Sequence, residues 1–460
     1  MPVETQPAAQ PPELSRRQPS AALLGLDHLL RIRGDQLSFY RDLRERHGDA
    51  VRLRLGPYRT WLLFHPDLIE AVLTREWQHF IRFEKLTNVV KQWNGPSLLL
   101  AEGREWRERR RKVLPAFQSK RMPVYAAAVV DHAHRLTQRW DGFAVSGGEL
   151  SIDTDAVMAR LTLDIATTTL FGTEPLVNGD DIETAIQVLS DTAFHESTTP
   201  FLLPDWQALP SKRRKRWAMD LMDRTVTGLV RRRLDDLAGG GGRDRGDLLS
   251  ILVEQHDGDA AAIRNDSMSL LIAGHETSGA LLSWLFACLG HAPAELRIVQ
   301  RELDAVLEGR LPTFADLPAL GATTGAIEEA LRLYPPAYSL FMRQATTDVT
   351  IGDVRVSKGD NVLIVPHALH HDARWYEDPE AFRPSRFRQP PTWPQFAYLP
   401  FGAGPRVCIG QSFALMEACL AAATILQTWE PAPLATMPTP SAKFSLRPSG
   451  GLPMVWRVRP

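Results

Sequence analysis

Apolar residues recur at helical spacing along most of the chain and at strand spacing only in short stretches near its two ends. From Leu53 to about Phe64 they alternate around Gly56-Pro57, which predicts a short hairpin. The period then lengthens. Asp67 to Leu73, Glu102 to Lys112, Met158 to Phe171 and Lys212 to Leu237 each carry apolar residues on one helical face. The run Gly239 to Gly246 reads as a surface loop before a helix capped by Asp247. A long helix is predicted from about Ala260 to His291, and another bearing Glu328 to Leu333, which Pro335-Pro336 stops. Short strands return at Val349 to Val356 and Val362 to Pro366. The stretch from Phe444 to Val458, with Pro448 and Gly450-Gly451 at its centre, predicts a final hairpin. The fold expected is mainly α with a small β-rich region and no internal repeat.

Composition narrows the class. With 44% hydrophobic residues in 460, the chain can bury a large core. Its 53 basic and 54 acidic residues leave a formal net charge of -1, so nothing global favours nucleic acid or a membrane surface. Three cysteines, Cys288, Cys408 and Cys419, suit a reducing cytoplasm better than a disulfide framework. Residues 1–20, rich in Pro, Gln, Ala and Ser, read as a disordered lead-in with no signal peptide. Residues 21–460 read as one catalytic domain, soluble, monomeric and without a membrane anchor.

Candidate chemistry concentrates in a few places. Phe401-Gly-Ala-Gly-Pro-Arg-Val-Cys408-Ile-Gly410 seats a lone cysteine among glycines, with Arg406 two residues away. A helix starting near Ile409 would aim its positive end at the sulfur, lower its pKa and make the thiolate a metal ligand; the alternative is an inert buried thiol. In the long helix, Ala273-Gly274-His275-Glu276-Thr277-Ser278 interrupts apolar surroundings. A Thr277 hydroxyl bonded back to the carbonyl of residue 273 would bend the helix and open a pocket for water or a diatomic ligand, with Glu276 beside it to relay protons; a cap or a solvent-facing turn is the plainer reading. Glu329 and Arg332 share a helix face at i, i+3, and Arg386 in Phe382-Arg-Pro-Ser-Arg-Phe387 offers a third member. Trp106 and Arg110, at i, i+4, suit an anionic planar ligand, and Arg104 to Lys112 forms a basic face. His367, His370 and His371 have zinc-compatible spacing, but the surroundings read as a loop after a strand and the site is set aside.

In this order and spacing the motifs resemble the cytochrome P450 family of haem-thiolate monooxygenases, from about residue 30 to 458. Phe401, Gly404, Arg406, Cys408 and Gly410 meet the cysteine-loop pattern, and Glu329 with Arg332 meets the Glu-x-x-Arg pattern. The resemblance implies a b-type haem (iron protoporphyrin IX) between the long helix and the cysteine loop. Cys408 would be its proximal ligand, with Ala273, Gly274, Phe401 and Gly410 around the ring and Trp106, Arg110, Arg343 and Arg406 on the propionates. Arg343 enters only by its distance after Arg332. Glu276 and Thr277 would deliver protons to bound oxygen, and Glu329, Arg332 and Arg386 would form a structural network behind the haem. Glu276 stands where many members have Asp.

What the resemblance implies for function is insertion of one atom of O2 into a hydrophobic small molecule, such as a fatty acid, terpenoid or macrocycle. No electron-transfer module follows the haem region, so a ferredoxin or flavodoxin with its reductase would supply electrons, docking on the basic face. A peroxide-using haem-thiolate enzyme and a non-catalytic haem sensor or carrier are the alternatives. Specificity is expected from Lys85 to Leu100, Ala193 to Trp206, the residues before Glu276, Pro336 to Met342 and Thr439 to Lys443. Val89, Val90, Phe194, Phe201, Leu202, Leu203, Leu340 and Phe341 are the apolar candidates, and Arg82, Lys85 and Lys91 the candidates for a substrate carboxylate.

Overall fold

The long apolar stretch forms a single helix, Ala260–His291, in the computed structural model, which describes residues 11–13, 18–19, 25–143, 149–173, 176, 178–199, 204–240, 242 and 244–459. Asp259 caps it by accepting the backbone N–H groups of Ala261 and Ala262. From Ser278 to Gly290 every residue is buried, so this half of the helix runs through the core instead of along its surface. Helix Thr154–Phe171 crosses it closely at Gly279. A Cβ there would lie 3.0 Å from Thr162 Oγ1 and 3.1 Å from Ala159 Cα.

Two further helices complete the frame of the site. Gly321–Leu333 ends where Tyr334 leaves helical geometry ahead of Pro335-Pro336, as expected. Gln411–Thr428 follows the cysteine loop and is buried from Met416 to Leu426. Trp284 of the long helix stacks on Tyr334 with ring centroids 4.0 Å apart and donates its Nε1–H to Leu446 O at 2.9 Å, which ties the core to the C-terminal strands.

The β-rich region centres on a five-stranded sheet in the order Ala50–Leu55, Tyr58–Leu63, Asn361–Ile364, Arg343–Ala345, Phe80–Arg82. The first two strands form the expected hairpin, and Tyr58–Leu63 runs parallel to Asn361–Ile364. Arg82 is paired with Arg343 in the antiparallel edge, so both side chains leave the sheet on one face. Val349 to Val356 is a hairpin in place of one strand, with Gly352 at φ +54° in its turn.

Two expectations change. The C-terminal hairpin does not form: Leu446–Pro448 pairs with Pro440–Ala442, whereas Pro453–Val458 pairs with Glu149–Asp153 and Trp429–Pro431. The glycine pair redirects the chain. Gly451, at φ +91°, sits so close to Asp153 that a Cβ would lie 2.4 Å from its carboxylate, and Leu452 N–H donates to Asp153 Oδ1 at 2.8 Å. The histidine segment is a helix, Pro366–His370, because Pro366 occupies its first turn instead of ending the strand. Of the lead-in, Glu13 exchanges hydrogen bonds with Asp49 and Gln18 accepts Arg52 N–H at 2.7 Å; most of residues 1–20, like Phe201, Leu202 and Leu203, lies outside the described residues.

Candidate active site

A cavity of about 530 Å³ opens between the long helix and the cysteine loop. Ala273, Gly274 and Thr277 line one wall, and Phe401, Cys408 and Gly410 another. Thr277 Oγ1 donates to Ala273 O at 2.7 Å, the back-bond its sequence position predicts. That bond uses the hydroxyl proton and leaves the oxygen's lone pairs as acceptors facing the cavity.

Cys408 sits at the inner end of a loop that its own backbone braces, its N–H reaching Phe401 O at 3.0 Å. Gly404, at φ +70°, lets the loop press against the backbone of Leu73, where a Cβ would fall 2.0 Å from Leu73 O. The helix begins at Gln411, three residues after the sulfur. Burial pushes the thiol's pKa up, and the Gly410 N–H and the Arg110 charge only partly offset this. A metal cation at the sulfur would favour the thiolate against this burial.

Glu276 does not share the cavity wall with Thr277. Its carboxyl is buried between Ser190 Oγ at 2.6 Å and Ser445 Oγ at 2.8 Å. Burial raises its pKa, against the two serine hydrogen bonds and the nearby Arg447 charge. On the neighbouring turn Ser278 donates to Glu417 of helix Gln411–Thr428 at 2.5 Å, and burial pushes that carboxyl to about 8. Sequence reasoning does not mark either carboxyl as a buried group, because the serine partners are remote in the chain.

The predicted anion-binding residues converge. Trp106 and Arg110 come from helix Gly103–Val113, Arg343 from the sheet and Arg406 from the cysteine loop. Arg406 Cζ lies 4.4 Å over the Trp106 ring and Arg110 Cζ 6.0 Å from it. Arg82 joins them across the strand pair from Arg343. The carboxylate among these guanidiniums is Glu102, which pairs with Arg406 and accepts the backbone N–H of Arg82 at 3.0 Å. Burial lowers the pKa of Arg110, Arg343 and Arg406, the last to about 10, and crowding by other guanidiniums adds to this for Arg406. Such an excess of buried positive charge fits a dianionic group between these residues. The donors and the open thiol match a haem with its two propionates.

Behind the cysteine loop, Glu329 and Arg332 are fully buried and paired twice, Nε to Oε2 and Nη2 to Oε1, both at 2.8 Å. Arg332 Nη1 also donates to His370 O and Pro379 O, each at 2.7 Å. Glu329 further accepts Arg383 N–H at 2.9 Å and Arg386 Nε–H at 3.3 Å. His370 extends this network. It bonds Arg332 O through Nδ1 at 3.1 Å and accepts Leu399 N–H through Nε2 at 2.8 Å, which fixes the Nδ1–H tautomer and reaches the segment leading into the cysteine loop. Sequence spacing offers His370 only as a zinc candidate.

Among the specificity candidates, Phe194, Leu340, Phe341, Arg82 and Lys85 line the cavity. Val89 and Val90 pack in the core instead, and Lys91 is exposed away from the cavity. On the basic face, Arg104 pairs with Glu108 at 2.6 Å, and Arg109 with Glu105 at 2.9 Å and Asp266 at 3.2 Å, while Arg107 and Arg111 are exposed. Among the described residues, no helix is long and apolar enough to cross a membrane.

The family model described as Cytochrome P450 matches residues 18–453. The chain belongs to the cytochrome P450 family. Cyclooctat-9-en-7-ol 5-monooxygenase of Streptomyces melanosporofaciens is 33% identical to it over 96% of this chain and 94% of its own. Pentalenene oxygenase of Streptomyces avermitilis is 30% identical over 83% and 84%. The crystal structure of CYP175A1 from Thermus thermophillus superposes with a TM-score of 0.76 at 25% identity, covering 96% of this chain and 100% of that one. This P450 is accordingly a monooxygenase whose cofactor is haem b, and its substrate class is small molecules.

Proposed function

We propose that this P450 hydroxylates or epoxidises a terpenoid-like hydrophobic molecule with electrons delivered by a separate ferredoxin or flavodoxin and its reductase. The observation that carries this reading is that the Cys408 thiol and the Thr277 hydroxyl open onto one largely apolar cavity. The relatives named for cyclooctat-9-en-7-ol and pentalenene act on terpenoids, which supports the substrate class.

The haem, when bound, supplies oxygen activation, and thiolate ligation favours O–O cleavage. In this reading Cys408 would ligate the haem iron, and Trp106, Arg110, Arg343 and Arg406 would hold the propionates. Thr277 presents hydroxyl lone pairs to the cavity, so it orients a proton donor there. Glu276 accepts the Ser190 and Ser445 hydroxyls and, in this reading, relays protons toward Thr277. Apolar walls such as Leu270, Leu340 and Phe341 exclude bulk water from the reacting bond.

The reduced protein under carbon monoxide is expected to show the red-shifted Soret band of thiolate-ligated haem, with product formed only when a redox partner is added. Absence of that band ends the proposal. The retraction of Glu276 from the cavity wall favours one second reading, a peroxide-driven enzyme, which turnover with peroxide and none with any redox partner would establish.

A further inference from the structure

Thr60 and Asn361 are fully buried polar residues that face each other in the parallel register of strands Tyr58–Leu63 and Asn361–Ile364. Neither Thr60 Oγ1 nor the Asn361 atoms Oδ1 and Nδ2 have a hydrogen-bond partner among the described residues. Both residues line the cavity. Side chains two apart on a strand share a face, so Thr60 lies beside Leu62 and Asn361 beside Leu363, leucines that pack with Phe39 and Tyr40 of helix Leu26–His47. Arg343 is paired with Val362, so the guanidinium cluster leaves the sheet on the opposite face. The cavity thus has an arm between this helix and the sheet, where Ile32, Met342 and Leu363 supply apolar wall.

Other polar groups at this end are satisfied by the chain itself. Gln36 Nε2 donates to Ala442 O, and the Tyr338 hydroxyl donates to Lys443 O. Thr60 and Asn361 differ from them, and burying an amide and a hydroxyl without partners is costly. On the same face of the two strands stand Tyr58, Leu62 and Leu363, none of them charged, so the partner that suits this pair is neutral. Asn361 has both a donor and an acceptor vacant, and so does the Thr60 hydroxyl. A carbonyl could only accept and would leave Asn361 Oδ1 unpaired, whereas a hydroxyl both accepts and donates.

We propose that Thr60 and Asn361 form a hydrogen-bonding subsite for a hydroxyl group already present on the substrate. Asn361 Nδ2–H donates to the hydroxyl oxygen, and the hydroxyl proton goes to Asn361 Oδ1 or Thr60 Oγ1. The molecule oxidised here is then an alcohol with an otherwise apolar skeleton, and a reaction that installs oxygen on that skeleton precedes this one. The proposal rests on the reading that a terpenoid-like hydrophobic molecule occupies the cavity.

Holoprotein of wild type, Asn361→Leu and Thr60→Val is titrated spectrally with the alcohols cedrol and farnesol and with the hydrocarbons α-cedrene and β-farnesene. Wild type is expected to bind the alcohols more tightly than the hydrocarbons. Asn361→Leu should weaken the alcohols by roughly 10-fold and Thr60→Val by roughly 3- to 10-fold, with the hydrocarbons changed by less than about two-fold. A lowered alcohol-to-hydrocarbon preference in either variant supports the subsite. Wild type that binds the alcohols no more tightly than the hydrocarbons, or a preference unchanged in both variants, overturns it. Should Asn361→Leu fail to accumulate as holoprotein, the preference in Thr60→Val decides. Absence of the carbon monoxide thiolate band, or of any response to alcohols and hydrocarbons alike, would instead remove the underlying functional reading, so the two failures are distinguishable.

Discussion

Arg332 and Arg82 are the same side chain at nearly the same burial, and their bonding is opposite. Arg332 spends all three nitrogens on Glu329 and three backbone carbonyls, so its charge is matched and its fork fully engaged. Arg82 has two nitrogens without partners and faces other guanidiniums. A saturated buried charge holds the fold together, and an unsaturated one waits for a ligand. The site is thus divided: the network behind the cysteine loop is finished by the chain itself, while the cluster at the cavity edge is finished by what binds there.

The sharpest test of this contrast is stability. Glu329→Gln or Arg332→Leu is expected to cost on the order of 3–5 kcal/mol, because each strands a buried charge or a set of carbonyls, and denaturant melts of the haem-free protein will register it. Arg82→Met should leave haem-free stability unchanged or raise it by about 1 kcal/mol, since it removes a buried charge that only Glu102, 3.8 Å away and shared with Arg406, partly offsets. Equal losses in the two regions would break the comparison.

A second test concerns Glu417, buried against Ser278 with a pKa of about 8. A carboxyl raised above its unfolded value contributes stability that is fully present below pH 4.5 and lost as pH climbs through about 8. Melting temperature should therefore fall over that window, by the equivalent of at most a few kcal/mol, and Glu417→Gln should flatten the slope while keeping the bond to Ser278.

The smallest expected change in structure is at Thr277. Thr277→Ala removes one back-bond to Ala273 and should shift stability by roughly 1 kcal/mol or less, yet divert reducing equivalents into peroxide by about an order of magnitude, measured as product formed per electron consumed. Unchanged coupling would return Thr277 to a purely helix-bending role.

Much of this is legible in the chain. Short-range signals survive folding: the Thr277 back-bond spans four residues, the Glu329–Arg332 pair three, and Pro335-Pro336 ends its helix where expected. Signals that depend on remote partners do not. Glu276 reads as the neighbour of Thr277 in sequence, but Ser190 and Ser445 draw it into the core. Val89 and Val90 look like cavity residues and are packing, whereas His370 has the spacing of a metal ligand and is a bridge between Arg332 and Leu399. The last hairpin fails for the same reason, since Asp153, far upstream, fixes the turn that splits it.

By itself, then, the sequence determined the family, the helical frame, the cysteine loop and the residues able to carry the chemistry, because these rest on local spacing and on side chains with few alternative uses. Only the tertiary structure decided which charges are matched. Whether a buried Arg or Glu is fold or function depends on partners brought from distant parts of the chain, and no local pattern records them.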